Sequence, residues 1–147
     1  MKIPNIVKLI LLILAVNFYT NGFAQCNVYA KYKCMPKLKP YLNTEQLYST
    51  TLLADDKAEL FMTFYYGIDY RIIVCAQDVL GKIQFNLKDG NNNVVFTTKG
   101  YGSIMWDFNV ENTQEFTIEV LTPSAQVTST GEAVDKGGCL SIVVGSK

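Results

Sequence analysis

Histidine is absent from all 147 residues, arginine occurs once (Arg71), and tryptophan occurs once (Trp106). Without histidine the chain lacks the commonest general base, proton shuttle and metal ligand. Basic residues are in no surplus: 13 stand against 13 acidic ones, which excludes the broad positive field that nucleic-acid binding requires. No two cysteines have the C-x-x-C spacing, and with no histidine to complete a zinc shell a redox or zinc site is excluded as well. A serine nucleophile would need a base and an oxyanion hole. Gly100-Tyr101-Gly102-Ser103 is not the G-x-S-x-G elbow and reads as a loop.

A long apolar run is missing too. The longest, Leu9–Val16, has eight residues. Eight to ten apolar residues cover about 15 Å of helix, half a bilayer core, so the run is too short for a membrane span. It follows Lys2 and Lys8 and precedes Gly22-Phe23-Ala24, whose small residues at −3 and −1 suit a signal peptidase. Met1–Ala24 is therefore expected to be a cleaved signal peptide, with the cut before Gln25 and the product periplasmic or secreted. A lipid anchor on Cys26 is disfavoured, because Gln25 stands where a lipobox wants a small residue, and lipidation would strand an odd number of thiols. Losing Lys2 and Lys8 with the leader takes the charges to 11 and 13, a net −2 on 123 residues.

What remains is apolar enough to fold, at 49% of the full chain, and is expected to be one domain. Residues 25–44 form a basic, tyrosine-bearing segment with Lys31, Lys33, Lys37 and Lys39, broken by Pro36 and Pro40. Four lysines without arginine make a weak phosphate footprint, so this segment reads as a solvated loop. Residues 45–147 read as strands. Leu60, Met62, Phe64 and Tyr66 alternate with Glu59, Phe61, Thr63 and Tyr65; Ile83, Phe85 and Leu87 alternate with Gln84, Asn86 and Lys88. Tyr70–Ala76, Val94–Thr98, Ile104–Val110, Phe116–Leu121 and Cys139–Gly145 add further strands, with a weak edge strand at 126–130. Asn43–Leu53 could hold a short helix, but Tyr48, Thr50 and Thr51 favour a strand. No window of twelve residues beyond the leader has a 3.6-residue period. Seven to nine short strands predict an all-β antiparallel sandwich.

Four cysteines in an exported chain predict two disulfides, and three connectivities are open. Cys26–Cys34 and Cys75–Cys139 are favoured on position, the first as a local loop, the second between the ends of neighbouring strands.

Site chemistry is sparse. Asp55-Asp56, Glu111 with Glu115, and Glu119 are candidate carboxylate pairs, but their turn and outward positions are those of solvated charges, so no enzyme is expected. Asp89, Asn91, Asn92 and Asn93 offer hard oxygen ligands on one loop and Asp55 with Asp56 on another. Turns demand the same residues, so weak calcium binding at Asp89, Asn91 and Asn93 is the lesser reading and no other cofactor is expected. Trp106 and Tyr66 fall in phase with core positions, whereas Tyr65 and Tyr101 are the candidate ligand-binding aromatics. Arg71 is expected to pair with Glu119 or Asp107.

The run Leu60–Ile72, an amphipathic strand leading into Gly67-Ile68-Asp69-Tyr70, resembles the opening of the bacterial pre-peptidase C-terminal domain, as do the Asp89-Gly90 turn and the strands around Trp106 and Phe116. That resemblance implies a jelly-roll-like sandwich acting as a binding or targeting module. The Ala24-Gln25 context, Tyr70-Arg71-Ile72 and Gly138-Cys139-Leu140-Ser141 are also similar to small secreted proteins of Bacteroidota. The expected partner is a protein or glycan of the cell envelope. Nucleic acid is not expected, nor is integration into the membrane.

Overall fold

A computed structural model describes residues 22–127, 130–131, 133–134 and 136–147. Two four-stranded antiparallel sheets face each other. The strands are β1 (Asn43–Leu52), β2 (Lys57–Phe64), β3 (Asp69–Ala76), β4 (Ile83–Lys88), β5 (Val94–Tyr101), β6 (Ser103–Asn109), β7 (Gln114–Leu121) and β10 (Gly138–Ser146), with a small ribbon of β8 (Gln126–Val127) and β9 (Ala133–Val134) between the last two. The orders are β1-β10-β3-β6 and β2-β7-β4-β5. Along the chain the eight strands change sheet at every step except from β4 to β5, which are neighbours in one sheet, and this is the connectivity of a jelly roll. Of the expected weak strand at 126–130, Gln126 and Val127 form β8, and residues 128 and 129 lie outside the described residues, as does the leader up to residue 21.

Alternation explains why these strands pack. Leu60 and Phe64 of β2, Ile118 and Val120 of β7, and Phe85 and Leu87 of β4 point inward against Tyr70, Ile72 and Val74 of β3 and Ile142 and Val144 of β10. Each such side chain contributes about 1.5–3 kcal/mol on full burial. Trp106 belongs to this layer as expected: it stacks between Phe96 and Phe108, with ring centroids 4.4 Å away on both sides. Tyr66 departs from expectation and is 72% exposed. β2 ends at Phe64, and the chain turns through Gly67 (φ +75°), so the alternation no longer governs residue 66. Backbone N–H groups there find fixed partners, Tyr65 N donating to the buried Tyr70 hydroxyl at 3.0 Å and Tyr66 N to Thr113 Oγ1 at 3.0 Å.

The N-terminal segment is the larger correction. Gly22–Lys33 forms a helix, α1, followed by a 3-10 turn at Met35–Leu38. Together they lie on the outer face of the first sheet. A second small core forms there from Cys34, Leu38, Tyr41, Ile73, Cys75 and Val143. Every residue of β10 is consequently buried, on both faces. Gly145 marks the crossing point, since a Cβ there would run into Leu38.

The disulfides join Cys26 to Cys139 and Cys34 to Cys75, in place of the expected Cys26–Cys34 and Cys75–Cys139. The expectation failed because it took 26–34 for a loop. In a helix, eight residues rise about 12 Å, beyond the roughly 7 Å a bridge spans. Strands β3 and β10 are indeed antiparallel neighbours, but each cysteine turns outward to the helix, with Cα–Cα distances of 5.2 and 5.9 Å. Cys26 has no free thiol to carry a lipid.

Candidate functional site

With α1 over β1 and β10 of the first sheet, the outer face of β2-β7-β4-β5 is left without a covering helix among the described residues. Its residues follow from strand parity. Lys57, Glu59, Phe61 and Thr63 of β2 stand opposite Leu121, Glu119, Thr117 and Glu115 of β7. Leu121, Glu119 and Thr117 in turn face Gln84, Asn86 and Lys88 of β4, and Gln84 and Asn86 face Lys99 and Thr97 of β5.

The centre of this face is wired. Glu119 receives Lys88 Nζ on Oε1 at 2.6 Å and Asn86 Nδ2 on Oε2 at 2.7 Å. Asn86 Oδ1 accepts from Thr97 Oγ1 at 2.7 Å and from Gln84 Nε2 at 3.1 Å. Lys57 pairs with Glu59 at 3.2 Å. Glu59 and Glu119 are cross-strand neighbours of like charge, a destabilising pair that the lysines on either flank offset. Glu119 is only 5% exposed, so the expectation of an ordinary solvated charge fails there. Burial works to raise its pKa, but the hydrogen bonds from Lys88 and Asn86 outweigh it, and the carboxyl lies below its ordinary range. A general acid for glycoside hydrolysis needs the opposite shift.

At one end of the face a groove of about 510 Å³ runs between β2, β7 and the β4–β5 hairpin. Phe61, Glu59, Thr63, Glu115, Asp89 and Asn92 line it, and Phe61 is 73% exposed. A second depression of about 610 Å³ lies at the opposite end, near Lys82, Lys99 and Asp55. The face thus runs from a carboxylate-bearing end to a lysine-bearing one. It offers an aromatic plate, fixed acceptors and two charge poles, which suits recognition.

The expected site residues do not converge. Tyr65 is 56% exposed at the β2–β3 turn and is absent from the groove lining. The side chain of Tyr101 lies outside the described residues. Asp89 holds a turn: its Oδ1 accepts from the Asn91 and Asn93 backbone N–H groups at 2.9 and 2.8 Å, and its Oδ2 from Asn93 Nδ2 at 3.1 Å. The Asn93 side chain and backbone hold its carboxyl below the ordinary range. Asp55 and Asp56 likewise serve a turn, accepting from Ser124 Oγ at 2.7 Å and from Leu53 N at 2.8 Å. Among the described residues no three acidic or cysteine side chains gather as a metal set. Phe61 is the residue sequence reasoning missed. Its parity with Glu59 and Thr63 was the available signal.

Arg71 chooses Asp107 of the two expected partners. Nε and Nη2 donate to the two carboxylate oxygens, each at 2.6 Å, and Nη1 donates to the carbonyls of Lys37 and Lys39 at 3.0 and 2.6 Å. The guanidinium also sits 4.6 Å from the Tyr41 ring centroid. This is a clasp for the N-terminal arm, and it holds the Asp107 carboxyl below its usual range, chiefly through the Arg71 hydrogen bonds.

No family model matches the chain, and no curated protein matches it. Solved structures show a distant likeness. PliG of Aeromonas hydrophila, a periplasmic inhibitor of g-type lysozyme, aligns at 11% identity over 69% of this chain and 85% of its own, with a TM-score of 0.45. The mitogen of Yersinia pseudotuberculosis gives 9% identity over 68% and 85%, with a TM-score of 0.42. The carbohydrate-binding module CBM36 in complex with calcium and xylotriose gives 10% identity over 72% and 93%, with a TM-score of 0.34. At those scores the likeness decides neither ligand nor activity. Among the described residues no helix is long and apolar enough to cross a membrane.

Proposed function

We propose that this chain is an exported, non-enzymatic binding module. Its leader, Met1–Ala24, is removed before Gln25, and it engages a protein or glycan of the cell envelope through the outer face of β2-β7-β4-β5. One contrast carries the reading. The first sheet's outer face is plated by a helix tied down with two disulfides, while the second leaves Phe61 73% exposed above a groove of about 510 Å³. A large ring standing in water beside a groove is of the residue type in which interface cores are enriched. The Glu119 carboxyl, held below its ordinary range, together with the lack of histidine, supports recognition over catalysis.

The experiment screens the mature protein against a glycan array and, by crosslinking, against envelope proteins, with Phe61→Ser in parallel. Loss of captured ligand by a normally folded Phe61→Ser supports the reading. Undiminished capture by that variant, or no capture by the wild type on either screen, refutes it.

A further inference from the structure

The jelly roll leaves four edge strands: β1 and β6 on the first sheet, β2 and β5 on the second. Natural proteins blunt such edges with charge, proline or bulges. Three of these edges are blunted. β2 carries Lys57 and Glu59, β5 carries Lys99 and shifts register twice against β4, and β6 carries Asp107 bound to Arg71. The fourth is different. In β1 the only charge is Glu45, which sits at a bulge between Thr44 and Gln46 and is bonded to Ser146. From Gln46 to Leu52 there is no charged residue, no proline and no glycine. That stretch pairs with β10 in unbroken register, Gln46 opposite Val144 through Leu52 opposite Gly138. Among the described residues its other flank makes no backbone hydrogen bond, and the one side-chain bond to its backbone runs from Thr50 Oγ1 to Thr51 O at 3.4 Å.

We infer that the open flank of β1, residues 46–52, is a strand-pairing surface for a second copy of this chain. The pairing is antiparallel, about a two-fold axis at Ser49. The segment is complementary to itself in that arrangement. Leu47 falls opposite Thr51 of the second copy, Tyr48 opposite Thr50, and Gln46 opposite Leu52, so no like charges meet. Glu45 falls outside the paired stretch. Two first sheets then join into one of eight strands, and the pairing uses the same patch on both subunits, as a two-fold interface must. The binding face proposed above lies on the other sheet and stays uncovered, so this inference stands independently of that reading.

Sedimentation velocity on the oxidised, exported protein across about 1–100 µM tests it, that being the range over which a pairing worth about 5.5–8 kcal/mol is populated. The expected result is a concentration-dependent doubling of mass. Leu47→Lys with Thr51→Lys sets lysines against each other across the axis and is expected to remove the dimer, while the circular dichroism of the monomer is retained. Hydrogen exchange on the wild type provides a readout that needs no variant. Amides within 46–52 should gain protection as concentration rises, and amides of β2 and β5 should not. A wild type that stays monomeric to 100 µM, a dimer that survives the double lysine variant, or protection of 46–52 that appears only on adding envelope extract overturns the inference.

Discussion

Replacing Cys26 and Cys139 together by alanine isolates the outer of two nested bridges. In the chain-entropy account, a crosslink stabilises by restricting the unfolded chain, more so for a longer loop. Cys34–Cys75 closes a sequence separation of 41 and Cys26–Cys139 one of 113. With the inner bridge intact, the outer closes about 70 free residues, for which the model gives about 4.4 kcal/mol, and measured values tend to fall below it. The native side adds little resistance: in the stretch 25–34 the buried residues are Cys26, Ala30 and Cys34, so α1 has few apolar contacts to hold it once its sulfur is gone. We expect a loss of about 3–4 kcal/mol, which for a domain of this size lowers Tm by about 10–15 °C. Trp106, stacked within the core, reports the transition by fluorescence. Non-reducing tryptic mapping decides the connectivity, because cleavage after Lys31, Lys33, Arg71, Lys82 and Lys136 puts each cysteine on its own peptide. A Cys26 peptide linked to Cys34, or a double variant melting within about 3 °C of the wild type, refutes the reasoning.

Four further outcomes follow from the same structure. Arg71→Lys keeps the charge but cannot span Asp107 and the two arm carbonyls, and should cost about 2 kcal/mol while speeding amide exchange in residues 35–41; unchanged exchange there contradicts the clasp. Asp107, Glu119 and Asp89 have native pKa values held below their unfolded ones, so the stabilisation they give is present above about pH 4 and is lost as pH falls through the lowered native values. Urea melts at pH 6, 4 and 3 should show that decline, with a shallower slope in Glu119→Gln, and a gain in stability on acidification would contradict it. Calcium at 10 mM should leave Tm unmoved, whereas a site with a millimolar dissociation constant would add about 1.4 kcal/mol, a shift of about 5 °C. Phe61→Ser should change stability by less than about 0.5 kcal/mol, as for any exposed position, so that lost ligand capture is not a folding effect; a larger drop would mean the ring packs at home.

The sandwich was legible because strand parity is a local signal. β4 can be read from Ile83, Phe85 and Leu87 alone, and all three are buried where the pattern places them. α1 was illegible for the converse reason. It has no apolar stripe, and the buried positions Cys26 and Ala30, with Cys34 just past its end, are small residues spaced by four, a pattern visible only once helix and sheet are seen together. Misreading that helix carried the disulfide pairing with it. The proposed binding face was half legible. Parity put Phe61 beside Glu59 and Thr63, but it could not show that Asn86 and Lys88 from another strand would close over Glu119. Tyr66 escaped because a strand's end is set by a turn, here by the hydrogen bonds of residues 65–68, and not by the alternation that precedes it.

Because Cys26 is bonded to Cys139, the polypeptide between them is a closed covalent hoop. A protease that cuts this hoop once, at any exposed loop, opens it without releasing a fragment. The severed halves stay in register and can hold their shape. One nick then adds a single water and frees no fragment, and only a second cut or a reductant lets any part of the molecule drift away.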